Sequence, residues 1–215
     1  MIFLVIMMIL GDSESVDYWM IRPTLVYDNH IDGAVEWLGF FDMACSYMIR
    51  PVEVQFTLED GVFYEGERPA GLMVELPGEN YSAPLVLLST SIPVFSAGQV
   101  LTVVHDYMHL LPNLSVVFSE EELEEVRLFT NGDGLFLSND EIEQHITETF
   151  PGEEQSETYM GILWAGDLDG DGKLDFLLND VADGYRRFSW DLYLSTEASP
   201  DQLVGQVATF YDTYY

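Results

Sequence analysis

The chain has 215 residues, and its 38 acidic side chains outnumber seven basic ones, which gives a net charge of −31. This charge disfavours nucleic acid and anionic lipid as partners, because binding to either requires clustered Lys and Arg that displace counterions. Hydrophobic residues make up 48 % of the chain, which is enough for a packed core and argues against wholesale disorder. We therefore expect an acidic, folded protein of one domain whose partners are cations.

The first ten residues are all apolar, and the segment 1–11 has two interpretations. Ten apolar residues are too few to cross a bilayer, which takes about twenty, so we predict no stable membrane span. Their number matches the core of a signal peptide, although the basic residues that normally precede such a core are missing. A truncated signal peptide and a buried first strand both stay open. Residues 12–215 are predicted to form a single, mainly β domain.

Strands are predicted along most of the first half of this domain. Residues 52–58 alternate between apolar and polar side chains, and a period of two is typical of a half-buried strand. The turn residues 59–61 come next, and 62–64 are predicted to begin the return strand. Further strands are predicted at 72–76, 85–88, 99–104 and 114–118.

Two or three short helices are predicted between and after these strands. Residues 119–122 have the capping-box form, which predicts one helical turn. A second helix is predicted to begin at Ser138 or Asn139 and to continue with apolar residues at helical spacing up to Phe150. A third is predicted from 199–201, where Ser precedes Pro at the first turn. The predicted fold class is therefore mainly β within α+β: an antiparallel sheet domain with two or three short helices.

The segment 131–141 has two interpretations. Asn131 and Gly132 lie between apolar runs, and Asn-Gly in that setting is a strong signal for a β-hairpin. The segment also resembles the latter half of an EF-hand calcium loop, but Phe129 then occupies the first position and cannot be a ligand. We predict a hairpin, while a second ion site at 131–141 stays an alternative.

The strongest signal for an enzyme is a pair of histidines, His105 and His109. On a helix they could share Zn²⁺ as in HExxH metalloproteases, but Asp106 stands where those enzymes have their basic Glu. The β-branched residues of 99–104 favour a strand, and Pro112 limits any helix that comes after them. We predict a strand that ends in a polar turn, and the sequence favours a protein without catalytic activity.

Residues 167–175 read Asp-Leu-Asp-Gly-Asp-Gly-Lys-Leu-Asp, and this stretch indicates one particular chemistry. Four carboxylates in so short a segment repel one another unless a cation lies between them. Ca²⁺ takes about six to eight oxygen ligands, and Gly172 permits the tight turn that brings such ligands together. The predicted ligands are four carboxylates and one backbone carbonyl: Asp167, Asp169, Asp171, Asp175, and Lys173 through its carbonyl oxygen.

The residues around this loop distinguish it from an EF-hand. Leu178 stands at the twelfth position, which is Glu in EF-hands, and apolar runs at 159–165 and 176–178 flank the loop. These runs predict strand–loop–strand. The segment 164–178 resembles the calcium loops of FG-GAP and VCBS-type repeats, which share a GDxDGDGxxD core and then apolar residues. The resemblance implies a β-hairpin that holds Ca²⁺ on the same four carboxylates, and it implies a secreted or cell-surface protein.

We therefore expect a secreted or periplasmic calcium-binding protein in which Ca²⁺ stabilises a β-hairpin near the C-terminus. Export agrees with this expectation, because free Ca²⁺ is abundant outside cells and scarce in the cytosol. Two alternatives remain. A hydrolase with structural calcium would join His105 and His109 with acidic residues in a deep pocket. An adhesion or partner-binding module would expose a large aromatic patch, for which Trp19, Trp37 and Tyr27 are available.

Overall fold

The computed structural model describes residues 18–21, 25–26, 36–43, 46–59, 71–77, 84–91, 93–104, 106–121, 123–131, 133–147, 159–182 and 187–213. Every regular element in these ranges is a β-strand, and none of the ranges contains a helix long and apolar enough to cross a membrane. The strands are β1 (Tyr18–Ile21), β2 (Leu25–Val26), β3 (Trp37–Asp42), β4 (Tyr47–Val52), β5 (Gln55–Glu59), β6 (Gly71–Glu75), β7 (Val86–Thr90), β8 (Gly98–Val104), β9 (Met108–His109), β10 (Ser115–Glu120), β11 (Leu123–Asn131), β12 (Gly134–Ser138), β13 (Glu143–Thr147), β14 (Tyr159–Asp167), β15 (Asp175–Ala182), β16 (Arg187–Leu194) and β17 (Gly205–Thr213).

The largest sheet has ten strands and is antiparallel throughout. Its order is β1-β7-β3-β4-β8-β14-β15-β16-β17, and the short β9 also pairs with β14. Met20 on one outer strand and Phe210 on the other belong to the same apolar cluster as Trp164 on a central strand. A flat sheet would keep its outer strands far apart, so this sheet curls into a half-barrel around that cluster.

Trp164 fixes the central strand β14 inside the half-barrel. Its side chain is fully buried, and its ring meets the Phe40 ring edge-on at 5.1 Å between centroids. The indole N–H donates a hydrogen bond to Thr102 Oγ1 at 3.0 Å, which supplies the partner that a buried Trp requires. The strand that leads into the Asp-rich loop is thus held by apolar packing and by a specific hydrogen bond.

A four-stranded sheet, β10-β11-β12-β13, covers the outer face of the half-barrel at β14, β15 and β16. Along β15 the side chains alternate: Leu177 faces the half-barrel core, while Phe176 and Leu178 face the four-stranded sheet. Both faces of β15 are therefore buried. This explains why 176–178 is a continuous apolar run rather than an alternating one.

A third, three-stranded sheet has the order β2-β6-β5. Val74 on β6 contributes to a small cluster with Trp37 and Leu87 of the large sheet. The strand pattern predicted for 52–58 is confirmed in part, because it falls on the end of β4 and on β5. The partner of β5 is β6, and the predicted return strand at 62–64 lies outside the described residues.

The two or three predicted helices are wrong in the described part of the chain. Strands β10 and β11 pair with each other on either side of the first predicted helical turn. Strand β13 lies within the range of the second predicted helix, and β17 overlaps the range of the third. The Asn139 side chain does accept hydrogen bonds from the N–H groups of Glu141 and Ile142, at 3.0 and 2.8 Å. Such bonds also close turns between strands, and pairing within a sheet then decides which kind of element comes after the turn.

The hairpin predicted around Asn131 is confirmed. β11 and β12 pair in antiparallel register up to Asn131 opposite Gly134, and the Asn131 side chain accepts a hydrogen bond from the Asp133 N–H at 2.7 Å. The Asn131 side chain therefore closes the turn by binding the backbone N–H two residues further along, as Asn does in tight turns.

Candidate metal centre

The Asp-rich loop joins β14 to β15, so the predicted strand–loop–strand arrangement is confirmed. The two strands pair up to Gly166 opposite Asp175, and the residues between them form the loop. Gly170 and Gly172 have φ angles of +86° and +80°, in the left-handed region that other residues enter only at a cost. A Cβ added at Gly170 would touch nothing, so the backbone angle alone selects glycine there.

Three carboxylates converge in this loop. Asp167, Asp169 and Asp175 each offer one oxygen, and these oxygens all lie within 4.8 Å of one another. Two oxygens bound to the same Ca²⁺ lie at most about 5 Å apart, because each Ca–O distance is about 2.3–2.6 Å. The spacing of the three oxygens is therefore compatible with a single ion between them.

Asp167 organises the backbone of the loop. One of its carboxylate oxygens accepts hydrogen bonds from the N–H groups of Gly170 and Asp171 at 2.7 and 3.0 Å, and the other accepts from Gly172 N–H at 3.0 Å. Each carboxylate oxygen has two lone pairs, so an oxygen with one N–H partner retains a site for a metal. Half-buried Asp167 thus holds the turn closed and still presents a ligand atom.

Asp175 is completely buried, which is rare for a carboxylate. It accepts hydrogen bonds from Leu168 N–H at 2.7 Å, from Ser195 N–H at 2.8 Å and from the Ser195 hydroxyl at 3.0 Å. Burial nevertheless raises the pKa of Asp175 to about 8, and the charge of Asp169 adds to this effect. These hydrogen bonds favour the ionised form, but they do not offset the loss of hydration. A divalent cation would supply the missing compensation.

Asp169, like Asp167, is partly buried. Burial raises its pKa, and the neighbouring charges of Asp171 and Asp167 act in the same direction. The Thr196 hydroxyl, which donates to the Asp169 carboxylate at 2.6 Å, lowers this pKa. Both Asp169 and Asp175 are therefore easier to protonate than an exposed aspartate in the metal-free protein.

Ser195 and Thr196 were not indicated by the sequence, because they lie about twenty residues beyond the loop. The pairing of β15 with β16, in which Phe176 faces Tyr193, brings them to it. The Ser195 hydroxyl lies 3.0 Å from a carboxylate oxygen of Asp171 and 3.0 Å from one of Asp175. Since a hydroxyl has one proton, it can donate to only one of these carboxylates at a time.

The remaining predicted ligands are Asp171 and Lys173. Asp171 lies outside the group of three converging oxygens. Its carboxylate accepts a hydrogen bond from Lys173 N–H at 2.9 Å and competes with Asp175 for the proton of the Ser195 hydroxyl. Lys173 is exposed, which suits a residue that would contribute only its backbone carbonyl. The roles of Asp171 and of the Lys173 carbonyl as ligands stay predictions.

The two leucines of the loop anchor it to different cores. Leu168 is 5 % exposed and belongs to the half-barrel core, while Leu174 is 2 % exposed and belongs to the core beneath the four-stranded sheet. The loop therefore lies where the two cores meet, although part of it reaches the surface.

The structure gives less support to the zinc site and to the aromatic patch. The strand predicted at 99–104 is confirmed as β8, and His109 lies on β9, so the described residues do not form the helix that HExxH chemistry needs. His105 lies outside the described residues. Trp37 is buried rather than exposed, whereas Tyr27 and the side chain of Trp19 lie outside the described part.

Comparisons of the chain with family models, with curated proteins and with solved structures found no match. The function is therefore inferred from the residues of the site.

Proposed function

We propose that this protein binds Ca²⁺ at 167–175, and that the ion stabilises the β14–β15 hairpin of a secreted or periplasmic protein without catalytic activity. The observation that carries the proposal is the position of Asp175. Its carboxylate is fully buried, and one of its oxygens lies within 4.8 Å of oxygens of Asp167 and Asp169. Exposed acidic groups are common without a metal, but a buried carboxylate beside two others is costly unless a cation compensates it.

The chemistry of the ligands favours Ca²⁺ among the metals. The converging group consists of carboxylate oxygens, which suit hard cations, whereas Zn²⁺ and copper prefer His and Cys. Mg²⁺ demands near-ideal octahedral geometry and retains several waters. A loop that supplies many oxygens from a short segment suits the larger, more tolerant Ca²⁺. The resemblance of 164–178 to the loops of FG-GAP and VCBS-type repeats supports the same choice.

The expected role is stabilisation rather than signalling. A ligand that binds only the folded state adds RT ln(1 + [L]/Kd), which is about 2.7 kcal/mol when calcium exceeds Kd by about 100-fold. Extracellular calcium modules bind with a Kd of about 10⁻⁴–10⁻³ M, so the site can be filled where calcium is abundant. Export fits this proposal, because a site of such affinity stays empty where free calcium is scarce, as in the cytosol.

The test is isothermal titration calorimetry of EDTA-treated, dialysed protein with Ca²⁺ and, separately, with Mg²⁺. We expect saturable calcium binding at one site per chain and much weaker magnesium binding. The Asp169→Asn variant should lose calcium binding. The Asp140→Asn variant, which removes an exposed carboxylate of the four-stranded sheet, is the matched control and should bind as the unaltered protein does. Absence of calcium binding by the folded, unaltered protein would refute the proposal.

A further inference from the structure

The Asp-rich loop is also a point of attachment for the four-stranded sheet. The N–H of Glu124, at the start of β11, donates a hydrogen bond to the carbonyl oxygen of Gly172 at 3.0 Å. Two residues further along the loop, Leu174 packs in the core shared with Val126 and Leu137 of that sheet. One side of the four-stranded sheet is therefore held by the backbone and by an apolar side chain of the same loop.

A second attachment involves the segment 195–204, which comes after β16. The buried side chain of Gln144 on β13 donates to the Val204 carbonyl at 2.8 Å and accepts from the N–H groups of Leu203 and Val204, at 2.7 and 3.0 Å. The same segment begins with Ser195, whose N–H and hydroxyl bind Asp175. The outer strand β13 is therefore held by a segment that also holds a predicted metal ligand.

The four-stranded sheet has the features of a unit that could open by itself. Its strands are contiguous in the chain, from Ser115 to Thr147, and among the described strands they pair only with one another. A cleft of about 200 Å³ lies at the junction, and Glu124, Lys173, Leu174, Ser195 and Leu203 contribute to its lining. Local opening involves contiguous cooperative units of this kind.

We propose that calcium binding at the loop controls how firmly the four-stranded sheet is docked on the half-barrel. This inference rests on the proposed function. When the ion is bound, the carboxylates are drawn together, and Gly172, Leu174 and Ser195 are fixed in the positions that hold the sheet. When it is removed, the carboxylates repel one another, the loop loosens and the docking weakens. The loop is thus a calcium-dependent joint between two packed units.

The experiment is hydrogen exchange measured by mass spectrometry on the full chain, in saturating calcium and in EDTA. We expect removal of calcium to speed exchange in 123–131 and 143–147 by about tenfold or more, because these strands open together. In EDTA, amides in 47–52, which is β4 of the half-barrel, should stay more strongly protected than those in 123–131, because β4 exchanges only when the whole chain unfolds. Equal protection of 47–52 and 123–131 in EDTA, or an unchanged rate in 123–131 when calcium is removed, would overturn the inference.

Calorimetry on the same samples separates this inference from the proposed function. Calcium binding without a change of exchange in the four-stranded sheet overturns the inference and leaves the proposed function intact. Failure to bind calcium overturns both.

Two variants test the attachment itself, with calcium present throughout. Leu174→Ala removes the apolar anchor, and Gln144→Leu removes three hydrogen bonds at similar volume; each should speed exchange in 123–147 selectively. Leu88→Ala, an equally buried leucine of the half-barrel core, is the control and should not act selectively on this sheet. If a folded Leu174→Ala or Gln144→Leu protein exchanges in 123–147 as Leu88→Ala does, the inference fails.

Discussion

Two acidic segments in this protein look alike in sequence and differ in structure. In the segment 131–141, which consists of β12 and a turn at each of its ends, side-chain oxygens of Asn131 and Asn139 accept hydrogen bonds from nearby N–H groups, and the acidic residues are exposed. In the loop at 167–175, three carboxylate oxygens converge and Asp175 is fully buried. In the first segment, backbone N–H groups at the turns are therefore bound by side-chain oxygens of the same segment. In the second segment, the negative charges of three carboxylates lie close together and require a cation to neutralise them. The number of acidic residues in a segment therefore does not by itself make a metal site.

The largest expected effect is the loss of calcium binding in Asp175→Asn. This change keeps the size of the side chain and removes the buried charge. Calcium affinity should fall by at least about 100-fold, because loss of a residue that only orients a metal ligand already lowers metal affinity by about 10–100-fold. Calorimetry measures the affinity, and circular dichroism of the variant establishes that it folds. Unchanged calcium affinity in a folded Asp175→Asn protein would contradict the assignment of Asp175.

Removal of calcium should destabilise the whole protein. At a calcium concentration of about 100 times Kd, EDTA should reduce the free energy of unfolding by about 2.7 kcal/mol. For a chain of this size the melting temperature should then fall by about 5–10 °C. Thermal unfolding monitored by circular dichroism gives this value. The same comparison on Asp175→Asn serves as the control, and its melting temperature should not respond to EDTA.

The raised pKa of Asp175 predicts opposite pH dependences for stability and for calcium affinity. The folded-state pKa, about 8, lies above the ordinary aspartate pKa of 3.8, so the folded, metal-free protein binds this proton more tightly than the unfolded chain does. The stabilising contribution of the proton is complete below pH 3.8 and is lost as pH rises towards 8. The metal-free protein should therefore melt lower at pH 8 than at pH 5, relative to Asp175→Asn.

Calcium affinity should rise over the same interval, because the ion must displace the proton. Calorimetry at pH 7 in buffers of different ionisation enthalpy should detect proton release on binding. If calcium binding released no proton at that pH, the raised pKa of Asp175 would be refuted.

A smaller effect is expected at Ser195, which the loop sequence did not indicate. Ser195→Ala removes the hydroxyl shared by Asp171 and Asp175 but keeps the N–H that binds Asp175. Calcium affinity should fall by about tenfold, at the lower end of the range for residues that orient ligands. Ser119→Ala, on the exposed side of β10, is the matched control. Equal affinities of the two variants would exclude a role for the Ser195 hydroxyl.

The smallest effect is expected in the segment 131–141. Asp133→Asn and Asp140→Asn remove exposed charges and should change the free energy of unfolding by less than about 0.5 kcal/mol. The calcium stoichiometry from calorimetry should stay the same in both variants. A reduced stoichiometry would show that the segment 131–141 also binds an ion, and the two acidic segments would then no longer differ in metal binding.

Strands were more predictable than helices in this chain. The apolar runs at 99–104 and 176–178 indicated strands, and they lie in β8 and β15. The predicted helices rested on short capping signals at 138–139 and 199–201. Such signals describe a local turn, while the next element is decided by pairing, as β17 pairs with β16 along its length.

The amino-acid sequence alone determined the mainly β class, the hairpin around 167–175 and the cluster of carboxylates within it, because these depend on local periodicity and composition. Only the tertiary structure showed that Asp175 is buried, because its surroundings include Ser195 from a distant part of the chain. It also placed Ser195 and Thr196 beside the loop, because strand pairing joins residues that are far apart in the chain. The ligand chemistry is encoded locally. The free-energy cost of burying the charged Asp175 carboxylate, which a bound cation would offset, arises from the fold.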